Sequence, residues 1–196
     1  MGIPQTAVKF SFEDYLAWEE GQAEKHEFVR GEAFAMAGAR QAHVTVSLNL
    51  ASAFKNRLRG TPCRAYMADM KLRVEAADAG FYPDVMVSCD RRDHAAELFL
   101  SHPTLLVEVL SDSTAAYDRG DKFADYRKLE SLKEYAIVDI ASRRVECFRR
   151  DAENHWVLYD FTGEEAAEFA SIGLAMPLAL VFEDVEAETQ ESGANP

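Results

Sequence analysis

Residues 103–130 have the sequence PTLLVEVLSDSTAAYDRGDKFADYRKLE, and this stretch decides the fold. Its first part, 105–110, is an apolar run typical of a buried strand, with one acidic residue inside it, Glu108. A helix-like stretch follows at 115–130, and a second apolar run, EYAIVDI, begins at Glu134. A helix between two apolar strands is typical of a crossover connection, so we expect an α/β or α+β sheet with a helix on at least one face.

Glu108 raises an energetic question, because an unpaired buried carboxylate is expensive. Charged side chains are seldom fully buried unless a partner neutralises them. The strand pattern therefore predicts a cation next to Glu108, either a basic side chain or a metal ion.

Length and composition favour one globular domain. The 196 residues, 48% of them hydrophobic, are enough for one core and too few for two domains of ordinary size. We expect this domain to cover residues 1–182. The remaining segment, 183–196, carries five acidic residues and no basic one, which predicts a disordered tail.

The sequence favours a cytoplasmic protein that does not enter a membrane. We find no run of about 18 to 20 uncharged apolar residues, and the N-terminus lacks the pattern of a secretory signal. Cys63, Cys89 and Cys147 are odd in number, widely spaced and without a CxxC motif. This spacing argues against a disulfide framework or a zinc site, so we predict that all three are small buried apolar residues.

The charge distribution leaves two interpretations open. A net charge of −13 argues against nucleic-acid binding, which depends on basic residues. Residues 40–73, however, carry seven basic residues and one acidic residue, a net of +6, which leaves −19 for the remainder. This segment is either a basic binding face or a solvated helix and strand surface.

Other elements are predicted from local patterns. Ser11 and Asp14 form a capping-box pair before a short helix at about 12–20, and an alternating pattern around Arg30 and Gly31 predicts a β-hairpin. Apolar spacing predicts a long helix at 41–58. Strand-like runs lie at 64–76, 81–90, 103–111 and 134–140, and a C-terminal hairpin or meander is predicted from RRVECFRR and HWVLYDF.

Two carboxylates are candidates for a metal site. On the strand YPDVMVS, Asp84 shares a face with Met86 and Ser88, and Glu108 shares a face with Leu106. If the two strands are neighbours, both carboxylates project from one face. Oxygen ligands without a Cys or His cluster favour Mg²⁺ or Mn²⁺ over Zn²⁺.

Lys122 is the third candidate. It lies four residues before Tyr126 and seven before Leu129, so it borders the apolar stripe that should face the sheet. An ammonium group there would pair with the carboxylates and would orient or deprotonate a water molecule. Each residue also has an ordinary interpretation, since Asp84 after Pro83 is typical of a strand start and a single lysine is usually exposed.

Three blocks carry a resemblance to a known family: KHEFVRGEAFAMAGARQAH at 25–43, YPDVMV at 82–87, and LLVEVLSDSTAAYDRGDKFADYRKLESLKEYAIVD at 105–139. Together they resemble the Uma-two family of predicted bacterial endonucleases, within the PD-(D/E)XK restriction-endonuclease-like superfamily. The resemblance runs from about Ser11 to Glu183. It implies a mixed restriction-endonuclease-like core sheet flanked by helices, with a divalent metal held by an Asp and a Glu and a lysine completing the site.

Under this resemblance, Asp84 matches the Asp of the PD pair and Glu108 matches the acidic residue of the second element. The superfamily lysine lies two residues after that acid, but Leu110 occupies this position. Lys122 would therefore act from the following helix. This departure also fits a rival interpretation, a catalytically inactive nuclease-fold protein for binding or assembly.

Glu27 and His43 fall on positions that recur in the N-terminal blocks of the family. The resemblance implies that Glu27 is an additional metal or water ligand and that His43 contacts a phosphate or a water held by the metal. Glu27 is alternatively an exposed hairpin carboxylate paired with Lys25, and His43 is alternatively a satisfied polar residue. Weaker candidates are Asp69 and Lys71.

The function expected from the sequence is a Mg²⁺-dependent endonuclease that hydrolyses phosphodiester bonds, with DNA as substrate by family resemblance. A homodimer would suit cleavage of both strands. A hydrolase of a small phosphorylated compound is a further alternative, which would need a narrow pocket in place of an open basic groove.

Overall fold

Three β-sheets flanked by helices form the protein over residues 10–111 and 114–186, which are the residues that this computed structural model describes. The helices are α1 (Phe12–Glu19), α2 (Gln41–Arg57), α3 (Arg91–Ala95), α4 (Ala115–Tyr117), α5 (Phe123–Tyr126) and α6 (Leu178–Val181). The strands are β1 (His26–Val29), β2 (Glu32–Ala35), β3 (Arg64–Met67), β4 (Lys71–Val74), β5 (Ala79–Phe81), β6 (Val85–Ser88), β7 (Phe99–Leu100), β8 (Pro103–Val109), β9 (Glu134–Asp139), β10 (Arg144–Arg150), β11 (Trp156–Phe161), β12 (Ala166–Phe169) and β13 (Leu174–Pro177). A π-helical turn, Asp118–Lys122, joins α4 to α5.

The largest sheet has six strands in the order β11-β10-β9-β8-β6-β3. Strands β8 and β9 are parallel, and the helical segment from Ala115 to Tyr126 connects them. The other pairs in this sheet are antiparallel. The predicted crossover, the mixed sheet and the C-terminal meander of β9, β10 and β11 are confirmed.

The second sheet has the order β2-β1-β5-β4-β7, and β12 pairs with β13 in a separate two-stranded sheet. Strands β1 and β2 form the predicted hairpin. Arg30 and Gly31 at its turn have φ angles of 52° and 87°, which a two-residue turn of type I′ requires at both positions. Glycine reaches such angles without strain.

Two stretches that we expected to be continuous strands are each divided between the two large sheets. The run 64–76 forms β3 in the six-stranded sheet and β4 in the five-stranded sheet, with Ala68 between them at a φ of 52°. The run 81–90 is divided in the same way between β5 and β6. Asp84 lies at this second division, where the chain passes from one sheet to the other.

Both faces of the six-stranded sheet are buried at its central strands β6, β8 and β9. Helix α2 covers one face with Val46, Leu50 and Phe54, which are fully buried and spaced one helical turn apart. The opposite face packs against the five-stranded sheet and the crossover helix. Side chains of β6 and β8 therefore alternate between two cores, with Val85 and Val107 in the first core and Met86 and Leu106 in the second.

The short helix α1 has the predicted capping box, in which Ser11 and Asp14 accept hydrogen bonds from each other's backbone amides. Phe12 of this helix packs on β5. A Cβ atom added to Gly80 would lie 2.7 Å from Cε2 of Phe12, so a glycine at this position lets the helix approach the strand closely.

The prediction for two of the three cysteines is wrong. Cys63 and Cys89 are only partly buried and form a disulfide bond. The register of β3 on β6 pairs Arg64 with Ser88, which brings the two cysteines just outside this pair opposite each other. Cys147 is a buried free cysteine, as predicted.

Part of the predicted acidic tail packs against the domain. The Asn49 side chain donates a hydrogen bond of 2.9 Å to the carbonyl oxygen of Glu183, and Val185 packs against the core. The rest of that predicted tail, 187–196, lies outside the described residues.

Within the described ranges, none of the helices combines the length and the apolar character that a membrane crossing requires.

Candidate active site

Asp84 and Glu108 lie where the pairing of two neighbouring strands ends. Strands β6 and β8 are antiparallel, and their register pairs Val85 with Val107. The pairing ends there, so Asp84 directly precedes β6, Glu108 directly follows Val107 on β8, and the charge of Asp84 acts on Glu108. Like charges placed close together are destabilising, so this arrangement favours a cation near them.

Two groups contact the Asp84 carboxylate, a backbone amide and a histidine side chain. Its Oδ2 accepts a hydrogen bond of 2.8 Å from the backbone amide of Val109, and Nε2 of His43 lies 3.2 Å from the same oxygen. Burial disfavours the charged form of His43. The hydrogen bond and the negative charge of Asp84 outweigh burial, so the pKa of His43 is raised above its ordinary value.

Glu108 is 4% exposed. Its Oε1 accepts a hydrogen bond of 2.6 Å from the Tyr126 hydroxyl and lies 3.0 Å from Nζ of Lys122. Burial raises the pKa of Glu108 well above its ordinary value, although the charge of Lys122 opposes this shift. One lysine therefore does not fully compensate for the burial of this carboxylate.

Lys122 is buried at the end of the π-helical turn and contacts three carboxylates. Its Nζ lies 2.8 Å from Glu27, 3.0 Å from Glu108 and 3.6 Å from Asp118. Burial alone would lower the pKa of Lys122, but these three negative charges raise it well above its ordinary value. The ammonium group is the central cation of the cluster.

Glu27 reaches this cluster from β1 of the other sheet. The ordinary interpretation paired it with Lys25, but Lys25 forms an ion pair with Asp69 instead. Oε1 of Glu27 is buried and lies 2.8 Å from Nζ of Lys122. Glu27 therefore belongs to the ion-pair cluster of Lys122.

The weaker candidates, Asp69 and Lys71, lie elsewhere. Asp69 pairs with Lys25, and Nζ of Lys71 lies 5.3 Å from the centre of the Tyr82 ring. Neither residue takes part in the ion pairs of Lys122.

A buried network around Glu19 fixes the strand that carries Glu27. Glu19, near the end of α1, accepts a hydrogen bond of 2.9 Å from the backbone amide of His26 and another of 2.9 Å from the Tyr82 hydroxyl. His26 precedes Glu27, and Tyr82 lies two residues before Asp84. One carboxylate therefore ties together the two chain segments that deliver site residues from the five-stranded sheet.

Sequence reasoning missed three residues of this cluster. Asp118 is buried and lies four residues before Lys122, a spacing that favours an ion pair on a helix and was visible in the sequence. Tyr126 was assigned only to the apolar stripe. Tyr117 has a buried hydroxyl with no hydrogen-bond partner among the described residues, and it lies within electrostatic reach of Glu27 and Lys122.

The donor set fits a hard divalent cation. Glu27, Asp84, Glu108 and Asp118 bring four carboxylates to the cluster, against the single ammonium group of Lys122. No three His, Cys, Asp or Glu side chains of the described ranges converge as a ready-made metal cage. Mg²⁺ does not need such a cage, because it usually binds one or two protein carboxylates and keeps water and substrate phosphate as its other ligands.

Sequence comparison finds relatives that cover most of the chain. "Uncharacterized protein slr1290" of Synechocystis sp. (strain ATCC 27184 / PCC 6803 / Kazusa) is 36% identical over 174 residues, which are 89% of this chain and 92% of the relative. "Uncharacterized protein sll1609" of the same organism is 33% identical over 168 residues, which are 85% of this chain and 95% of the relative.

A solved structure shares the fold. It is described as "a putative nuclease belonging to DUF820" from Anabaena variabilis ATCC 29413, and it superposes with a TM-score of 0.74 at 15% identity over 88% of this chain and 97% of its own. Residues 12–181 match the Uma2 family, described as "Putative restriction endonuclease". The chain therefore belongs to the Uma2 family of nuclease-like proteins and has a restriction-endonuclease-like fold.

Proposed function

We propose that this protein is a divalent-metal-dependent endonuclease that hydrolyses phosphodiester bonds of DNA. The observation that carries the proposal is that Asp84 and Glu108 lie within electrostatic reach at the end of the β6–β8 pairing, with the buried Lys122 ammonium in contact with Glu108. Membership in the Uma2 family supports the reaction class.

Asp84 and Glu108 are the residues that would hold Mg²⁺ or Mn²⁺. Both contacts of Glu108 with Tyr126 and Lys122 involve Oε1, which leaves Oε2, among the described residues, for another partner. When bound there, a divalent ion would supply Lewis acidity toward a phosphoryl oxygen and a lowered pKa for a coordinated water.

Lys122 and His43 have separate tasks in this proposal. Lys122 holds the attacking water or the negative charge that develops on the phosphate, because its ammonium group lies against Glu108 at the inner side of the site. His43 approaches Asp84 from α2 on the opposite face of the sheet. It both orients Asp84 and presents an imidazole to a phosphate at the sheet end.

A nuclease-fold protein without catalytic activity is the second candidate. It is favoured by Leu110 at the position of the superfamily lysine and by the engagement of Lys122 with three carboxylates. In this candidate the cluster is a structural ion-pair network, and the acidic chain binds a partner other than DNA.

Nicking of supercoiled plasmid tests the proposal. The wild type should convert the plasmid to open-circular product with Mg²⁺ or Mn²⁺ and not with EDTA, and Asp84→Asn, Glu108→Gln and Lys122→Met should each lower the rate at least about a hundredfold. Lys133→Met, which removes an exposed cation, is the matched control and should cleave normally. A folded wild type that cleaves neither DNA nor RNA with either metal would support the second candidate.

A further inference from the structure

A second site with a different charge lies along α2 and β3. It is a pocket of about 280 Å³ whose lining includes the basic side chains of Lys55, Arg59 and Arg64 and the ring of Tyr66. None of the carboxylates around Lys122 lines this pocket.

The three cations of the pocket differ from Arg57 and Arg73 in having no partner among the described residues. Within the segment 40–73, Arg57 donates a hydrogen bond to the carbonyl of Gly173, and Arg73 pairs with Glu13. The side chains of Lys55, Arg59 and Arg64 are exposed and take part in no hydrogen bond, ion pair or ring contact with a described residue. In a chain of net charge −13, three cations at one pocket whose described lining contains no acidic residue indicate a binding site for an anion.

Stabilisation of the α2 C-terminus explains only part of this cluster. Basic residues in the last turn of a helix interact favourably with its dipole, which accounts for Lys55 and for Arg59 just beyond the helix end. Arg64 is on β3, opposite Ser88, and does not belong to the helix. Its position on the same pocket favours a ligand.

The lengths of α2 and β3 set the distance between the pocket and the candidate active site. Lys55 is twelve residues after His43 on α2, which corresponds to about 18 Å at 1.5 Å per residue. The backbone amide of Ala68 donates a hydrogen bond to the carbonyl oxygen of Asp84. Arg64 lies four residues before Ala68 along β3, and four strand residues span about 13 Å. Successive nucleotides of a DNA strand rise 3.4 Å, so the separation spans roughly four to five base pairs.

We infer that the pocket of Lys55, Arg59 and Arg64 binds a backbone phosphate of the nucleic acid, four to five base pairs from the bond that is cleaved. This inference rests on the proposed function. It identifies a place where this acidic protein contacts the nucleic acid. The basic segment 40–73 therefore contributes a surface that contacts phosphate and is not only a solvated surface. Because backbone phosphates are the same in every sequence, the pocket positions the duplex without reading its bases.

Salt-dependent binding of a duplex of about 20 base pairs, measured by fluorescence anisotropy in EDTA, tests the inference. The double variant Arg59→Gln/Arg64→Gln should lower the slope of log K against log salt by about 0.9, since the pocket holds one phosphate and each lost phosphate contact removes about 0.9. The control double variant Arg127→Gln/Lys133→Gln makes the same change in net charge with two exposed cations that follow the crossover helix, and its slope should stay within about 0.5 of the wild type. The charge-preserving Arg59→Lys/Arg64→Lys should keep the wild-type slope.

The inference would be overturned if the slope fell equally in the pocket and control variants. It would also be overturned if the wild type bound no duplex at low salt. Displacement of the duplex by millimolar inorganic phosphate at constant ionic strength would also overturn it, in favour of a small phosphorylated ligand. Plasmid nicking separates this result from the proposed function. An unchanged slope with normal nicking overturns the pocket alone, whereas a pocket-dependent slope without nicking by any variant overturns the nuclease alone.

Discussion

Asp84 and Glu108 lie within electrostatic reach of each other at the end of the pairing between the buried antiparallel strands β6 and β8. The two residues come from different elements of the sequence and meet where β6 begins and β8 ends. Two carboxylates in this position repel each other, and Lys122 contacts only Glu108 of the pair. The arrangement is unfavourable for folding and suited to binding a cation.

Neutralising either carboxylate should abolish metal binding without preventing the protein from folding. Asp84→Asn should unfold at the same temperature as the metal-free wild type or higher, because it removes a like-charge repulsion. Glu108→Gln also removes that repulsion but loses the ion pair with Lys122, so it should unfold at a lower temperature. In the wild type, Mg²⁺ or Mn²⁺ at a hundred times its Kd should stabilise the fold by about 2.7 kcal/mol, roughly 5 to 11 °C. In both variants that shift should fall to about 1 °C or less by differential scanning calorimetry.

The matched control for that experiment is Glu130→Gln, which neutralises an exposed acid beyond the crossover helix. It should retain the full metal-induced shift. A shift that survives in Asp84→Asn would mean that the metal is held elsewhere.

Removing the amine of Lys122 should destabilise the protein strongly. Lys122→Met leaves Glu27, Glu108 and Asp118 without their shared cation, and breaking a buried ion pair from one side costs about 3–5 kcal/mol. Urea unfolding should show this loss, while Lys133→Met at an exposed position should stay within about 0.5 kcal/mol of the wild type. A loss below about 1 kcal/mol would show that Lys122 does not neutralise the cluster.

The Tyr126 hydroxyl should matter for both stability and metal affinity. It donates to Oε1 of Glu108 at 2.6 Å, and a hydrogen bond to a charged group contributes about 1.5–3 kcal/mol. Tyr126→Phe should lose this amount in urea unfolding, and titration calorimetry with Mn²⁺ should show an affinity roughly 10–100-fold weaker. Tyr15→Phe, which removes a buried hydroxyl bonded to the carbonyl of His26, should leave the Mn²⁺ affinity unchanged.

Tyr117→Phe should have opposite effects on stability and activity. The buried hydroxyl of Tyr117 has no hydrogen-bond partner among the described residues, so its removal relieves a desolvation penalty of about 1–3 kcal/mol. We expect equal or higher stability in urea, together with slower plasmid nicking if the hydroxyl meets the substrate or its water. A variant that is both destabilised and fully active would mean that Tyr117 has an ordinary structural role.

Local patterns in the sequence were sufficient to predict the strand of Glu108, the crossover helix and the inward position of Lys122. The apolar stripe of the helix identifies the face that packs on the sheet, and Lys122 borders that stripe. A buried acidic residue in an apolar strand is unfavourable without a cation beside it. These features depend on residues within about a dozen positions of one another. They could therefore be inferred before the fold was known.

Features that depend on register between distant segments could not be predicted in the same way. The Cys63–Cys89 bond requires the pairing of β3 with β6, and neither strand records its partner in its own residues. The sequence left two interpretations of Glu27, a metal or water ligand and a partner of the nearby Lys25, and neither identified Lys122, which is distant in sequence, as its contact. The division of two strand-like runs between separate sheets is hidden for the same reason, since alternation along a strand does not identify the sheet.

Anomalous diffraction from crystals soaked in Mn²⁺ tests the central claim most directly. We predict a peak at the end of β8, within about 2.0–2.6 Å of carboxylate oxygens of both Asp84 and Glu108, and the loss of this peak in Glu108→Gln. A cleaving enzyme whose anomalous peak lies away from these two carboxylates, or that shows no peak between them, would contradict the account.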